Sequence, residues 1–375
     1  MTAKKNYIIS FVFILVFLFS RIVYSIISVD SINYLYYALL LSYFIFFLNI
    51  SNKILYIKFK EPIFLTLVFV SFGLFNFIAT SEANLFRFIG PISALIGYIF
   101  YETYKFKFDS RAFIGFFIFL YIYFFFEYYL NLPDFFERVR FDEDAYIFDN
   151  SSSNAIPLSL NLLTCFFLLF YSNSQKFNLS KTFLFIAVIN IILILIQQSR
   201  LGIMASILIL LILMNKSDFR NTKIIKSTIF VLITLTIYYL TDTLIEIWNS
   251  SGFYKLLDST QNIRYLINLE FYSNLEFSEL IFGKKKTSFF VVGDVDQYST
   301  FNLFTEIIRM YGIFPLIAFL FFFFKRFKNR NYYKNNAICL ILLIYALNES
   351  IFIANLSDVI LYVVLFSKND LPSYS

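Results

Sequence analysis

Long apolar runs separated by short polar segments recur along the whole chain. Each run is close to the roughly 20 residues that an α-helix needs to cross a bilayer. The runs are continuously apolar, whereas a membrane β-barrel would show alternation over about ten residues, so we expect helices. The last two runs are short and also fit one bent element, so the pattern predicts 11 or 12 transmembrane helices. The predicted spans are 7–27, 32–50, 63–79, 86–101, 112–130, 155–171, 182–197, 201–214, 227–240, 301–324, 336–347 and 352–366.

The composition agrees with an all-α polytopic membrane protein that forms a single transmembrane domain over residues 1–375. Hydrophobic residues make up 59% of the chain and charged residues 15%, and the mean hydropathy is +0.71. A soluble protein of this size has too little interior to bury so much apolar surface. The first span, 7–27, is too long for the core of a signal peptide and lacks a small-residue cleavage site, so we expect it to be retained.

The lysines and arginines between the spans indicate the orientation of the chain. With the N-terminus in the cytoplasm, the inside segments hold more than twice as many of these residues as the outside segments. This bias is typical of membrane proteins and predicts that both termini are cytoplasmic. The net charge of +6 is therefore a signal of topology, and it does not indicate binding to nucleic acid.

Two of the outside segments are long, 131–154 and 241–300. The second is too long for a simple turn, so we expect a large extracytoplasmic loop with some ordered structure of its own. No internal repeat is visible in the sequence, which weakens the case for a transporter built from inverted repeats.

We single out four charged residues within the spans: Arg21, Glu127, Glu306 and Arg309. In the predicted topology all four lie in the outer halves of their helices, and such residues usually face a cavity or a partner. Asn302, Glu306 and Arg309 are spaced i, i+4, i+7 and so share one face of a helix. We interpret this stripe as part of a site that opens to the outside. A structural Glu306–Arg309 pair is the alternative.

Several kinds of chemistry lack the residues they need. The chain has no histidine, which excludes a histidine-based metal site, a histidine base and a Ser-His-Asp arrangement. Both cysteines, Cys165 and Cys339, fall within spans, where packing is their expected role. Two acidic strings, 142–144 and 294–296, resemble metal-binding D-x-D sequences, but the pattern is common by chance. We expect neither a metal nor another cofactor.

Arginines mark the predicted outer side of the membrane. Arg200 ends a span after Gln198 and Ser199, and Arg264 and Arg140 lie in the two long outer segments. A guanidinium group grips phosphate oxygens with two hydrogen bonds, which suits an anionic ligand such as a lipid-linked diphosphate. Binding to lipid headgroups or snorkelling is the alternative interpretation of these residues.

Three stretches resemble segments of the O-antigen polymerase and ligase family, the bacterial Wzy-type proteins. The sequence "QQSRLGIMASILILLI" is similar to the family's serine-arginine segment that opens a helix. The sequence "NIRYLINLEFYSNLEFSELIFGKKK" is similar to its arginine, amphipathic stretch and glycine, here Arg264 and Gly283. The sequence "YSTFNLFTEIIRMYGIFPLIAFLFFFF" resembles a third segment, with Asn302, Phe304 and Gly312 in place.

Weaker similarities extend the resemblance over residues 130–366. They comprise an arginine followed by an asparagine at a helix entry, here Arg140 and Asn154, and "LNESIF" near the closing helices. The resemblance implies a GT-C-like fold in the bacterial inner membrane, with an active site that faces the periplasm. Family members act on glycans carried on undecaprenyl diphosphate, and a chain-length regulator is an implied protein partner. No nucleotide and no metal are implied.

The absence of histidine separates the activities within this family. Ligases carry a histidine before the asparagine, where this chain has Phe301 before Asn302. The resemblance therefore favours a polymerase, which moves the growing glycan from its lipid diphosphate onto a new lipid-linked repeat unit. An O-antigen ligase and a lipid-linked oligosaccharide flippase remain the alternatives.

The polymerase chemistry assigns a role to each candidate residue. Cationic groups that stabilise the departing diphosphate lower the barrier, and the resemblance gives this role to Arg200 and Arg264. An acidic group can take the proton of the attacking hydroxyl, and Glu306, Asp296 and Asp294 are the candidates for this base. The candidate substrate-binding residues are Arg309, Arg140, Asn302, Ser199 and Gln198.

Overall fold

The computed structural model describes residues 2–13, 59–81, 86–104, 109, 111–119, 122, 160–162, 164–165, 187–191, 194, 200–214, 263–284, 290–292, 295–297, 302–328, 338, 341–343 and 356–367. The elements are α1 (Thr2–Phe13), α2 (Lys60–Thr80), α3 (Phe86–Tyr104), α4 (Arg200–Met214), α5 (Ile263–Ser273), α6 (Phe277–Phe282), β1 (Phe290–Val292), β2 (Val295–Gln297), α7 (Leu303–Tyr311), α8 (Ile313–Lys328) and α9 (Leu356–Phe366).

Helix prevails in the described residues, which confirms the predicted helical class. The exception is a short antiparallel hairpin in which β1 pairs with β2 and Val291 lies opposite Asp296. This hairpin, α5 and α6 all fall within 241–300, the segment predicted to be a large loop with ordered parts.

One helix in the described part of the chain, α2, is long and apolar enough to cross a membrane. It has 21 residues and a mean hydropathy of 2.1, and only 28% of its most apolar window is buried inside the protein. Glu61 in its first turn and Ser81 in a left-handed conformation at its C-terminus mark its ends. The exposed apolar flank of α2 is the kind of surface that lipid covers. The total of 11 or 12 crossings stays a prediction.

Side-chain pairs show that α2 runs antiparallel to α8. Lys325 donates a hydrogen bond to Glu61 at 2.8 Å at one end of the pair. Phe64 lies against Phe322 further along, with ring centroids 6.3 Å apart. Phe72 lies against Phe314 near the other end, at 5.5 Å.

The C-terminal parts of α3, α8 and α9 lie close together. We call this region the Phe59 end and define it by Phe59, Tyr98, Arg326 and Ser367. The ring of Tyr98 contacts Phe59 and Phe366, and Arg326 donates to the carbonyl of Ser367 at 2.7 Å. These three helices therefore run in the same direction and α2 runs against them, which are the relative directions that the predicted topology requires. The side of the membrane at which the Phe59 end lies stays a prediction.

The prediction of one continuous helix over 301–324 is wrong. The chain breaks at Gly312, so that α7 ends at Tyr311 and α8 begins at Ile313 and continues to Lys328. Gly312 has φ +85°, and its N–H closes α7 by donating to the carbonyl of Ile308 at 2.8 Å. This φ is one that glycine adopts readily and other residues rarely do. Pro315 then lies in the first turn of α8, where its missing N–H leaves no helical hydrogen bond unmade.

Candidate functional site

Asn302 begins α7 and caps it. Its side-chain oxygen accepts hydrogen bonds from the N–H groups of Phe304, at 2.8 Å, and Thr305, at 3.4 Å. Asparagine is among the preferred residues for this position because its side chain satisfies N–H groups that lack a partner within the helix. The first member of the predicted polar stripe therefore has a clear structural role as well.

The other two members of the stripe, Glu306 and Arg309, form a buried ion pair one turn apart. Arg309 donates through Nε to Oε2 of Glu306 at 2.8 Å and through Nη2 to Oε1, which makes the contact bidentate. The two side chains are 2% and 4% exposed. A sugar hydroxyl therefore reaches Glu306 only if α7 or one of its neighbours moves. The structure contains the pair that the sequence analysis kept as its alternative.

The opposite face of α7 is apolar and lines a cavity of about 30 Å³. Leu303, Ile307 and Tyr311, at spacing i, i+4, i+8, face side chains from α2, α3, α8 and α9 across this space. None of the described residues that line the cavity is charged, so they do not supply the groups that diphosphate chemistry needs. The charged and apolar faces of α7 are thus separated.

The ends of α6 and α7 meet at two glycines, Gly283 and Gly312, both with φ +85°. The N–H of Lys284 donates to the carbonyl of Arg309 at 2.7 Å. A Cβ at Gly283 would lie 2.7 Å from that same carbonyl oxygen, and a Cβ at Gly312 would collide with the carbonyl of Ile281. Two backbone segments approach this closely only where neither carries a side chain. We call this contact the glycine junction.

A second contact links α5 to α7. The hydroxyls of Tyr272 and Thr305 lie 3.0 Å apart, within hydrogen-bond distance. The glycine junction and this contact together place the segment of α5 and α6 against α7. These are two of the segments that carry the family resemblance, and they are packed against each other although separate in the sequence.

For three of the remaining predicted site residues, Arg200, Arg264 and Asp296, the structure gives the position in a helix or strand. Arg200 is the first residue of α4 and Arg264 is the second residue of α5. Asp296 lies in β2, and its partner strand β1 packs near α5, the helix that carries Arg264. Arg140, Gln198, Ser199 and Asp294 lie outside the described residues. Within the described ranges, no group of three or more acidic residues, cysteines or histidines is placed to hold a metal.

Two buried polar residues at the glycine junction, Arg87 and Asn76, were not singled out from the sequence. Both are completely buried. Asn76 donates to the carbonyl of Phe282 at 2.7 Å, and Arg87 donates to the side-chain oxygen of Asn76. The signal that could have found them is a polar side chain within an apolar span, because such residues usually have a partner there.

A second buried network, around Asn161, was also missed. Asn161 donates to the carbonyl of Gly202 at 3.0 Å, and its side-chain oxygen accepts from Asn190 at 2.9 Å and Ser206 at 2.8 Å. All three side chains are at most 1% exposed. The network binds the carbonyl of Gly202, two residues after Arg200. It therefore helps to fix the position of the first turn of α4, which begins at Arg200.

Comparison with protein-family models, with curated proteins and with solved structures found no match to this chain.

Proposed function

We propose that the protein is a polymerase of lipid-linked oligosaccharide repeat units at the outer face of the bacterial inner membrane. It transfers the growing glycan from undecaprenyl diphosphate onto a new repeat unit that is itself carried on undecaprenyl diphosphate. The product is an O-antigen or a capsule. The reaction makes the protein an inverting glycosyltransferase that requires no metal.

The observation that carries the proposal is the packing of the two resembling segments against each other. Residues 263–284 and 302–312 meet at the glycine junction and at the contact between Tyr272 and Thr305. Contact between them supports one shared site, which would include α5 with Arg264 and α7 with the buried pair. An exposed apolar flank on α2 supports the membrane location.

The proposed chemistry is a direct displacement at the anomeric carbon. The acceptor hydroxyl forms a new C–O bond, the bond to the diphosphate breaks, and the electron pair of that bond leaves with the lipid diphosphate. Arg200 and Arg264 stabilise the departing negative charge, and Arg309 and Arg140 contribute positive charge around them. An acidic group accepts the hydroxyl proton, and Asp296 is favoured over Glu306 here because both oxygens of Glu306 already accept from Arg309.

A transporter is the less favoured function. A flippase would place charged groups along a central cavity near the membrane midplane. The described cavity beside α7 is lined by apolar and tyrosine side chains instead.

Deleting the gene separates the three activities. We expect the mutant to carry surface glycans with a single repeat unit, because units are still exported and attached but are not joined. Gel electrophoresis of the surface polysaccharide measures this chain length, with the wild-type gene returned on a plasmid as the control. Loss of all glycan beyond the core would instead indicate a flippase, and long glycan stranded on the lipid carrier would indicate a ligase.

Alanine at Arg200 or Arg264 tests the diphosphate role. We expect the rate of chain extension by the purified protein to fall by about 100- to 1,000-fold, the usual effect of removing one group that stabilises developing charge. Lysine should restore little, because a point charge lacks the bidentate geometry. Arg111, which is exposed, provides the matched control, and its alanine variant should extend chains normally. Wild-type rates in both Arg200→Ala and Arg264→Ala would contradict the assignment.

A further inference from the structure

Arg87 holds the turn that joins α6 to the glycine junction. Its guanidinium group donates to the side-chain oxygen of Asn76 and to the carbonyl of Lys284, the latter at 3.4 Å. The amide of Asn76 donates to the carbonyl of Phe282 at 2.7 Å. The two side chains thus bind the backbone on both sides of Gly283. The N–H of Lys284, in the same turn, donates to the carbonyl of Arg309.

The backbone of Arg87 makes a second connection, to the end of α7. Pro91 lies within α3, four residues after Arg87, and a proline has no N–H to donate to the carbonyl four residues before it. The carbonyl of Arg87 instead accepts from the hydroxyl of Tyr311 at 3.1 Å. The ring of Tyr311 packs edge-on against Phe69, with centroids 4.9 Å apart. Arg87 therefore binds the C-terminal end of α6 through its side chain and the C-terminal end of α7 through its carbonyl.

A buried arginine at this place needs an explanation beyond stability. Desolvating a guanidinium group costs several kcal/mol, and apolar side chains of similar volume often fill such positions without loss of stability. The described hydrogen bonds of Arg87 hold the ends of α6 and α7. Helix α7 carries the candidate site residue Arg309, and α6 directly follows α5, the helix that carries Arg264. Reacting groups must be held to within about 1 Å, because a displacement of that size can cost about 100-fold in rate.

We propose that Arg87 is a positioning residue of the site, which holds the Phe282–Lys284 turn and the end of α7 in the relative arrangement that transfer requires. This inference rests on the proposed polymerase function. Arg87 acts through the backbone of the turn and of α7, and it does not contact the substrate.

The test compares Arg87→Gln and Arg87→Lys with the same changes at the exposed Arg111. Purified protein is assayed for chain extension with a lipid-linked repeat unit, and rates are expressed per folded molecule after size-exclusion chromatography. We expect kcat to fall about 10- to 100-fold in both Arg87 variants with KM unchanged, because positioning affects the transfer step. Lysine should fail to rescue, since one ammonium cannot reach both acceptors in the fixed geometry of the guanidinium fork. The Arg111 variants should match the wild type.

Amide hydrogen exchange provides a readout that does not depend on activity. We expect faster exchange across residues 277–284 in the Arg87 variants, because the turn loses the hydrogen bonds to its carbonyls. Tyr311→Phe removes only the donor to the carbonyl of Arg87, so it should lower kcat and speed exchange at the end of α7. This milder variant keeps the test decisive if Arg87→Gln does not fold.

Three results would overturn the inference. The first is a normal kcat per folded molecule in the Arg87 and Tyr311 variants, which would make their role purely structural. The second is unchanged exchange over residues 277–284 in the Arg87 variants while the wild-type protein is active. This result would reject the positioning role of Arg87 and leave the polymerase proposal intact. The third is a wild-type protein that extends no chains, which would overturn the polymerase function and the positioning role together.

Discussion

Alanine at Gly312 is expected to prevent the accumulation of folded protein. The φ of +85° at this position, with an extended ψ, is a region that glycine alone adopts without strain, and a side chain there costs about 1–3 kcal/mol from the backbone alone. The added Cβ would also collide with the carbonyl of Ile281. That carbonyl belongs to the backbone of α6, whose C-terminal turn is held by hydrogen bonds from Asn76 and Arg87, so it cannot move away easily. Proteins are stable by only about 5–15 kcal/mol, so the combined cost is large.

The yield of monodisperse protein in detergent and its unfolding temperature measure this effect. Gly115 is the matched control, because it lies in the helical residues 111–119 and a Cβ there would meet nothing within 4 Å. Alanine at Gly115 should stabilise the helix by about 0.5–1 kcal/mol. A Gly312→Ala protein with the yield and unfolding temperature of the wild type would show that the glycine junction is not as tight as described.

Removing one member of the Glu306–Arg309 pair is expected to destabilise the protein by about 3–5 kcal/mol, because the other charge stays buried without its counter-ion. Glu306→Ala should have the larger effect of the two single changes. It leaves Arg309 buried without a counter-ion, and an arginine does not lose its charge at any ordinary pH. Replacing both residues by leucine should recover most of the stability, because apolar side chains of similar volume often substitute for a buried pair at no net cost.

The pair between Glu61 and Lys325 provides an internal control for these measurements. Its two side chains are 51% and 53% exposed, so Glu61→Gln should cost no more than about 1 kcal/mol. Denaturant or thermal unfolding of the purified variants measures each change. A Glu306→Ala protein as stable as Glu61→Gln would contradict the buried pair.

The leucine double variant also separates stability from function. If the pair takes part in the proposed reaction, this variant should fold and yet extend chains slowly, because both the Arg309 guanidinium and the Glu306 carboxylate are then missing from the site. A stable double variant with the wild-type rate would leave the pair with a structural role only.

The ends of three helices were predictable from the sequence to within a few residues. The run 63–79 corresponds to α2, the run 86–101 to α3 and the run 201–214 to α4. Such runs are recognisable because a helix depends on its own residues and their neighbours one turn away. The break at Gly312 was not recognised, because the apolar pattern continues across it and a single glycine within a helical pattern is often tolerated.

The candidate site was predictable only in part. The sequence indicated Asn302, Glu306 and Arg309 as one polar face of a helix, and all three lie on α7. It did not indicate that Asn302 would cap this helix, and it offered the Glu306–Arg309 pair, which the structure shows to be buried, only as the alternative. It also gave no weight to Arg87 and Asn76, since each looks like a single polar residue in an apolar run until its acceptors are known.

The sequence by itself determined that the chain forms apolar helices and, for α2, α3 and α4, where they begin and end to within a few residues. Hydrophobic periodicity and chain-breaking residues act over only one or two turns, so they can be recognised without the fold. The tertiary structure decided which of their ends meet. Asn76 binds the carbonyl of Phe282, which lies 206 residues away along the chain. Tyr311 donates to the carbonyl of Arg87, 224 residues away. A carbonyl group is present at every residue, so no sequence pattern indicates which one a distant side chain will reach. Only the packing of the helices selects it.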